Sequence, residues 1–207
     1  MSDLTGITIE EVEEKEREIA GHIKAISDLL CIETTESNKD TPERIAKMYS
    51  RELFKHRNNY DISVLDAQIK LFDNPNYKGK VLSPVVMKDI SFSSTCEHHW
   101  LPFMGVAKVT YIPKKKIIGL SKIPRVVKFF SQKPQLQERL TQEICDYLYN
   151  VLNPIMVKVE LTATHCCVMC RGAESDCITE TTHERWSSDD KVTEIEVAEM
   201  KSTTQYV

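Results

Sequence analysis

The chain predicts an α+β fold, a mostly antiparallel sheet backed by helices with an N-terminal helical extension. Three observations carry this. Ile19, Ile23, Ile26 and Leu30 recur at helical spacing among Glu and Lys residues. Further on the period becomes two: Ile90 and Phe92 alternate with Asp89, Ser91 and Ser93, and Val157, Val159, Leu161 and Ala163 alternate with Lys158, Glu160 and Thr162. The patterns run in the order helices, two or three strands, two helices, strands. That order is an α+β pattern with a mostly antiparallel sheet.

The elements follow in turn. After the first helix, Ser37-Asn38-Lys39-Asp40 reads as a loop, with Thr41 as the N-cap and Pro42 at the first position of a second helix through Tyr49. Residues 58–80 read mainly as loop, with a short element near Val64 to Phe72. A strand holds Ile90 and Phe92. Another spans Val106 to Ile112, breaks at Pro113-Lys114-Lys115-Lys116, and takes Ile117-Ile118-Gly119-Leu120 as its hairpin partner. Helices are expected over Pro124–Ser131 and from Pro134, where Leu140, Ile144, Tyr147 and Val151 form one face. The Val157–Ala163 strand follows, and a last strand is expected over Val192–Val197. The chain therefore divides into a helical region over residues 1–56 and a sheet-bearing domain over 57–207.

Composition excludes several classes. With 207 residues, 41% of them hydrophobic, the chain can bury one full core. No apolar run reaches the roughly 20 residues of a membrane span, so no membrane partner is expected. The start, Met1-Ser2-Asp3-Leu4, lacks the basic and apolar regions of a secretory signal. A net charge of −4 argues against nucleic acid as a partner but leaves room for a phosphorylated small molecule. The seven cysteines are odd in number, and four fall between Cys166 and Cys177. That pattern suits a reducing cytoplasm, and metal or catalysis more than a disulfide framework.

Two runs carry chemistry. In Cys96-Glu97-His98-His99, a bend at the end of a polar strand can aim Cys96 and His99 at one ion. In His165-Cys166-Cys167-Val168-Met169-Cys170, continued strand parity sets His165 and Cys167 on one face and Cys166 and Cys170 on the other. Two ligand sets compete. Cys96, His99 and Cys167 give an open, catalytic type of zinc site; adding Cys170 through a turn closes it into a structural one. Parity favours the open set. His98 and His165 each neighbour a proposed ligand, and imidazole is the side chain most used for proton transfer. Arg44 and Lys47 share a helix face, and with Lys122, Arg125 and Arg171 they are candidate anion contacts. His56, in Lys55-His56-Arg57-Asn58, reads as part of a solvated basic loop.

At these residues the chain resembles the GTP cyclohydrolase I family. The resemblance rests on Ser94-Thr95-Cys96-Glu97-His98-His99, Ile118-Gly119-Leu120-Ser121-Lys122-Ile123, Pro134-Gln135-Leu136-Gln137-Glu138-Arg139-Leu140 and Thr164-His165-Cys166-Cys167, with Thr41-Pro42-Glu43-Arg44-Ile45-Ala46-Lys47 before them. It implies the tunnelling fold for the domain over 57–207. It also implies a homo-oligomer, a decamer with active sites between subunits, and conversion of GTP and water to 7,8-dihydroneopterin triphosphate and formate. By motif, Cys96, His99 and Cys167 would hold Zn2+, and His98 and His165 would carry protons. Glu138 would hold the guanine edge with Gln137 beside it. Ser121, Lys122, Arg125 and Arg171 would meet ribose and triphosphate. Arg44 and Lys47 would add phosphate contacts from a neighbouring subunit. The resemblance weakens after Thr182, where His183-Glu184-Arg185-Trp186 and an acidic tail depart from the family's pattern.

Overall fold

The computed structural model describes residues 8–56, 61–75 and 83–187. Helix α1 (Ile9–Leu29) starts on a capping box: the Thr8 hydroxyl accepts from the Glu11 amide, and the Glu11 carboxylate accepts from the Thr8 amide at 2.7 Å. Of its apolar stripe, Ile19 and Ile23 are half-buried while Ile26 and Leu30 stay exposed. Helix α2 (Thr41–Lys47) runs into a π-helical turn, Met48–Leu53. Here the expectation needs correcting. Asp40 holds the N-cap position without a side-chain bond, and Thr41 is already helical. Glu16, buried in α1, ties the two segments together by accepting from Ser50 and, in a two-pronged pair, from Arg51 at 2.6 and 2.7 Å.

The main sheet has five strands in the order β5-β2-β3-β6-β7. These are β2 (Val85–Cys96), β3 (Pro102–Ile112), β5 (Pro134–Gln135), β6 (Met156–His165) and β7 (Ile178–Trp186). Neighbours are antiparallel except β2 and β5. Alternation does what period two predicts: Val157, Val159, Leu161 and Ala163 are buried, with Lys158, Glu160 and Thr162 on the other face. The buried face, with Phe103, Ala107, Val109 and Tyr111 from β3, packs on α4 (Lys122–Ser131) and α5 (Gln137–Leu152). The opposite face leaves Met104, Val106 and Ile178 exposed. This is an antiparallel sheet backed by helices, with a helical N-terminal extension, the layout expected of the tunnelling fold.

Three local expectations change. Strand β4 (Lys116–Ile118) pairs with β1 (Leu71–Asp73), not with β3, because β3 already has β2 and β6 on its two edges. The partner came instead from the stretch read mainly as loop, which also holds helix α3 (Ile62–Asp66). Pro134 does not open α5. It sits in β5, which pairs in parallel with Thr95 and Cys96 and so brings the start of α5 beside the Cys96 turn. Strand β7 was not expected: its Thr and Glu residues lack apolar alternation, because it is a sheet edge whose inner side meets polar groups of α5. The strand expected over residues 192–197 lies outside the described residues.

Candidate metal centre and its surroundings

Cys96 is the last residue of β2 and is buried. Its amide donates to the Leu101 carbonyl at 2.8 Å, and its carbonyl accepts from the Trp100 amide at 2.9 Å. The turn closes through Trp100, which takes φ 55°, and the exposed indole packs against Tyr49 and Phe54. This hairpin turn presents His98 and His99 outward. Arg139 of α5 braces it by pairing with Glu97 at 2.5 Å while also donating to the Gln135 side chain and the Pro134 carbonyl.

Cys167 arrives from the end of β6. The strand stops at His165, and Cys166–Met169 form one helical turn, α6. The parity expectation therefore reached Cys167 through a strand that is not there; the helical turn is what aims its thiol at Cys96. The ligand atoms of Cys96, His99 and Cys167 lie within 4.8 Å of one another, the one such group among the described residues. Two thiols and an imidazole suit a soft, tetrahedral cation. Bond lengths of about 2.3 Å to sulfur and about 2.0 Å to nitrogen set ligand atoms roughly 3.5 Å apart, so the three groups need move only slightly to hold one. Burial and the adjacent Cys96 push the Cys167 thiol up, while Arg171 pulls it down. Cys170 does not join: it is exposed, and its thiol donates back to the Cys166 carbonyl at 2.6 Å. The open set, rather than the closed one, is the arrangement present.

The two histidines differ. His98 is exposed, its Nδ1 3.7 Å from the Cys96 sulfur. His165 is half-buried and stacks flat on Phe103, with ring centroids 4.6 Å apart and planes 3° from parallel. Its Nε2 is 2.7 Å from the Gln137 side-chain oxygen. The Gln137 amide nitrogen faces three acceptors: the carbonyls of Leu161 and Thr179 and the hydroxyl of Thr181. That fixes which end of the amide meets His165. A carbonyl oxygen only accepts, so Nε2 carries the proton and neutral His165 leaves Nδ1 as its acceptor. Burial lowers the pKa of His165, opposed by the charge of Glu138.

Gln137, which the motif set beside the guanine contact, lies in the interior of this chain. It is 2% exposed, and its amide is fully used in holding His165 and β7 to α5. The Thr141–Thr181 hydroxyl contact at 2.6 Å reinforces the same seam. Glu138, next along, is exposed on the first turn of α5. Ser121 and Lys122 stand at the start of α4, Ser121 exposed and Lys122 half-buried. Arg125, a turn later, donates to Gln68 at 3.2 Å. Exposed Arg171 lies near enough to act on Cys167. Arg44 and Lys47 stand apart on α2, where Arg44 pairs with Asp40 at 3.6 Å and Lys47 acts on Glu16. The Glu97–Arg139 pair and the positioning role of Gln137 are not legible in the motifs, because their partners come from the packing of α5 on the Cys96 turn and on β6 and β7.

The chain is similar to known proteins over most of its length. Residues 18–201 match the family model of GTP cyclohydrolase I. A GTP cyclohydrolase 1 of Aeromonas salmonicida is 43% identical over 161 residues, 77% of this chain and 71% of that protein. One of Vibrio cholerae is 43% identical over 171 residues, 82% of this chain and 76% of that protein. A solved archaeosine synthase, QueF-like, in its apo form covers 51% of this chain at 20% identity with a TM-score of 0.42, a likeness too partial to bear on function. With the matched region spanning the metal cluster, both histidines and the first turn of α5, the chain belongs to the GTP cyclohydrolase I family.

Proposed function

We propose that the chain is a zinc-dependent GTP cyclohydrolase I, converting GTP and water to 7,8-dihydroneopterin triphosphate and formate. The observation that carries this reading is the meeting of Cys96, His99 and Cys167 beside two histidines that ligate nothing else. Cys96, His99 and Cys167 would hold the ion. Bound zinc supplies Lewis acidity and lowers the pKa of a water toward ~7. The rest falls to side chains. His98, exposed beside Cys96, serves as the acid that protonates the imidazole nitrogen as the purine opens at C8. His165, held neutral with Nδ1 free, takes and returns protons as formate leaves. Glu138 accepts from N1–H and the 2-amino group of guanine; adenine has no such donor pair, so ATP is excluded. Ser121, Lys122, Arg125 and Arg171 meet ribose and phosphates.

The assembly in this reading is a homo-oligomer, a decamer with sites between subunits, in which Arg44 and Lys47 reach the phosphates of a neighbour's substrate. Its support is the exposed side of the centre and the apolar residues left open in one chain, Ile26, Leu29, Leu30 and Ile32 on one side and Met104, Val106 and Ile178 on another. The product would feed pterin, folate or deazaguanine synthesis. Among the described residues no helix is long and apolar enough to cross a membrane. The test is direct: protein with GTP, then oxidation, yields a fluorescent pterin, and Glu138→Ala abolishes its formation. Absence of pterin from metal-replete, assembled protein overturns the reading.

A further inference from the structure

Outside the metal centre, one groove of about 390 Å3 lies between α4, α3 and the segment after the π-helical turn. Its size falls within the roughly 300–1,000 Å3 of small-molecule sites. Lys55, His56, Gln68, Arg125, Lys128 and Gln132 supply its polar lining, with Val64, Leu65 and Phe129 as the apolar part. Arg125, Lys128 and Gln132 follow one another at helical spacing along α4, so one face of that helix carries both charges. His56 is fixed, not solvated as expected. Its amide donates to the Gln132 carbonyl at 2.9 Å and its ring lies against Phe129 with centroids 4.2 Å apart.

The charges lining this groove are of one sign. Arg51, Lys133, Arg139 and Arg185 each have a carboxylate, and so do the exposed Lys24, Lys39 and Lys116. In the groove Arg125 bonds only the neutral Gln68, and Lys55 and Lys128 have no ion pair among the described residues. No carboxylate is among the described lining residues. Three exposed cations line one concave surface with amide donors and a flat imidazole, and no carboxylate among the described residues pairs with them. A concave lining of one sign attracts an anion.

We infer that this groove is a phosphate-binding site, in which Lys55, Lys128 and Arg125 clamp the phosphoryl oxygens of a polyphosphate and His56 donates a hydrogen bond from its ring. Only Arg125 overlaps the contacts of the proposed reaction, and to that extent the inference rests on that reading. Lys55, His56 and Lys128 go beyond it. Burial, then Lys55 and Lys133, lower the pKa of free His56. Lys133 is itself paired with Glu143, and Arg125 and Lys128 are the other charges lining the groove. A bound polyanion reverses the balance and raises that pKa.

The experiment uses the full, assembled protein and inorganic tripolyphosphate as the probe. Calorimetric titration is expected to show binding that weakens as salt is raised and falls about tenfold or more in Lys55→Gln/Lys128→Gln. In unaltered protein with labelled histidines, the His56 titration is expected to move up when tripolyphosphate saturates. Saturating GTP separates two sources of the same chemistry. Displacement of the probe assigns the groove to the substrate's own tail; simultaneous binding assigns it to a separate phosphate effector. Equal affinity in the double variant, or a His56 titration blind to tripolyphosphate, overturns the inference. Because the probe needs no turnover, a protein that forms no pterin can still bind it, so failure of the groove and failure of the proposed reaction give different results.

Discussion

Replacing Gln137 with leucine removes the group that orients His165 while keeping the side chain's bulk. The Gln137 oxygen accepts from His165 at 2.7 Å, and its nitrogen serves the Leu161 and Thr179 carbonyls at 3.1 and 3.0 Å. The site is buried, so water cannot replace what is lost. The carbonyls keep other lone pairs, so their loss is modest, about 1 kcal/mol each; the orphaned imidazole N–H adds about 1–2 kcal/mol. The expected loss of stability is therefore about 3–4 kcal/mol, read by denaturant unfolding of the assembled protein. Freed from Gln137, the ring keeps its stack on Phe103 but loses its fixed tautomer. A fall in kcat of about 100-fold follows, the lower end of what a placed general acid–base group contributes. KM for GTP is expected to stay within about threefold, because a buried side chain with no free donor does not reach a ligand. The assay is pterin formation at several GTP concentrations, on variant protein of verified metal content and assembly. A raised KM with unchanged kcat would instead place Gln137 on the substrate. An unchanged kcat and KM would show that Phe103 alone holds His165.

Cys167→Ser is expected to lose metal and activity together while circular dichroism stays that of the parent, because the core lies under α4 and α5 rather than at the ion; metal analysis on the assayed sample checks this. Gly105→Ala is expected to cost about 3 kcal/mol or more and to lower the yield of folded protein, since a Cβ there would sit 1.9 Å from the Thr162 carbonyl oxygen and 2.7 Å from the Ala163 Cα across the β3–β6 ladder. Glu16→Gln is expected to cost about 2–3 kcal/mol and to speed hydrogen exchange in α1, because the buried carboxylate loses its charged bonds to Arg51. In the parent, the Arg51 guanidinium holds the Glu16 carboxyl below its ordinary value. Its contribution is therefore complete above the unfolded value near ~4.3 and is lost as pH falls through the lower folded value, so α1 exchange is expected to rise only below about pH 4.

Much of this was written in local patterns. Helical spacing placed α1, α4 and α5, and alternation placed β2 and β6, because each pattern reports which side of one segment faces the core. The identities of Cys96, His99 and Cys167 were equally legible, since only a few residue types ligate a soft cation and their spacing limits the pairs. The reasons were less secure than the result. Strand parity chose Cys167 over Cys170, yet the strand ends at His165 and a helical turn makes the choice. The meetings of distant segments came from the folded chain alone. Periodicity in one segment carries no record of its partner, so β4 went to β1 instead of β3, and Pro134 entered a parallel strand instead of a helix. The same packing turned Gln137 inward to hold His165 and laid His56 on Phe129, at the edge of a groove that joins Lys55 to the Arg125 and Lys128 of a distant helix. Residue identity and spacing alone picked out the Cys96, His99 and Cys167 atoms able to hold a cation. The folded sheet decided which proton His165 keeps and where unpaired positive charge collects, because both depend on neighbours brought in from remote strands and helices.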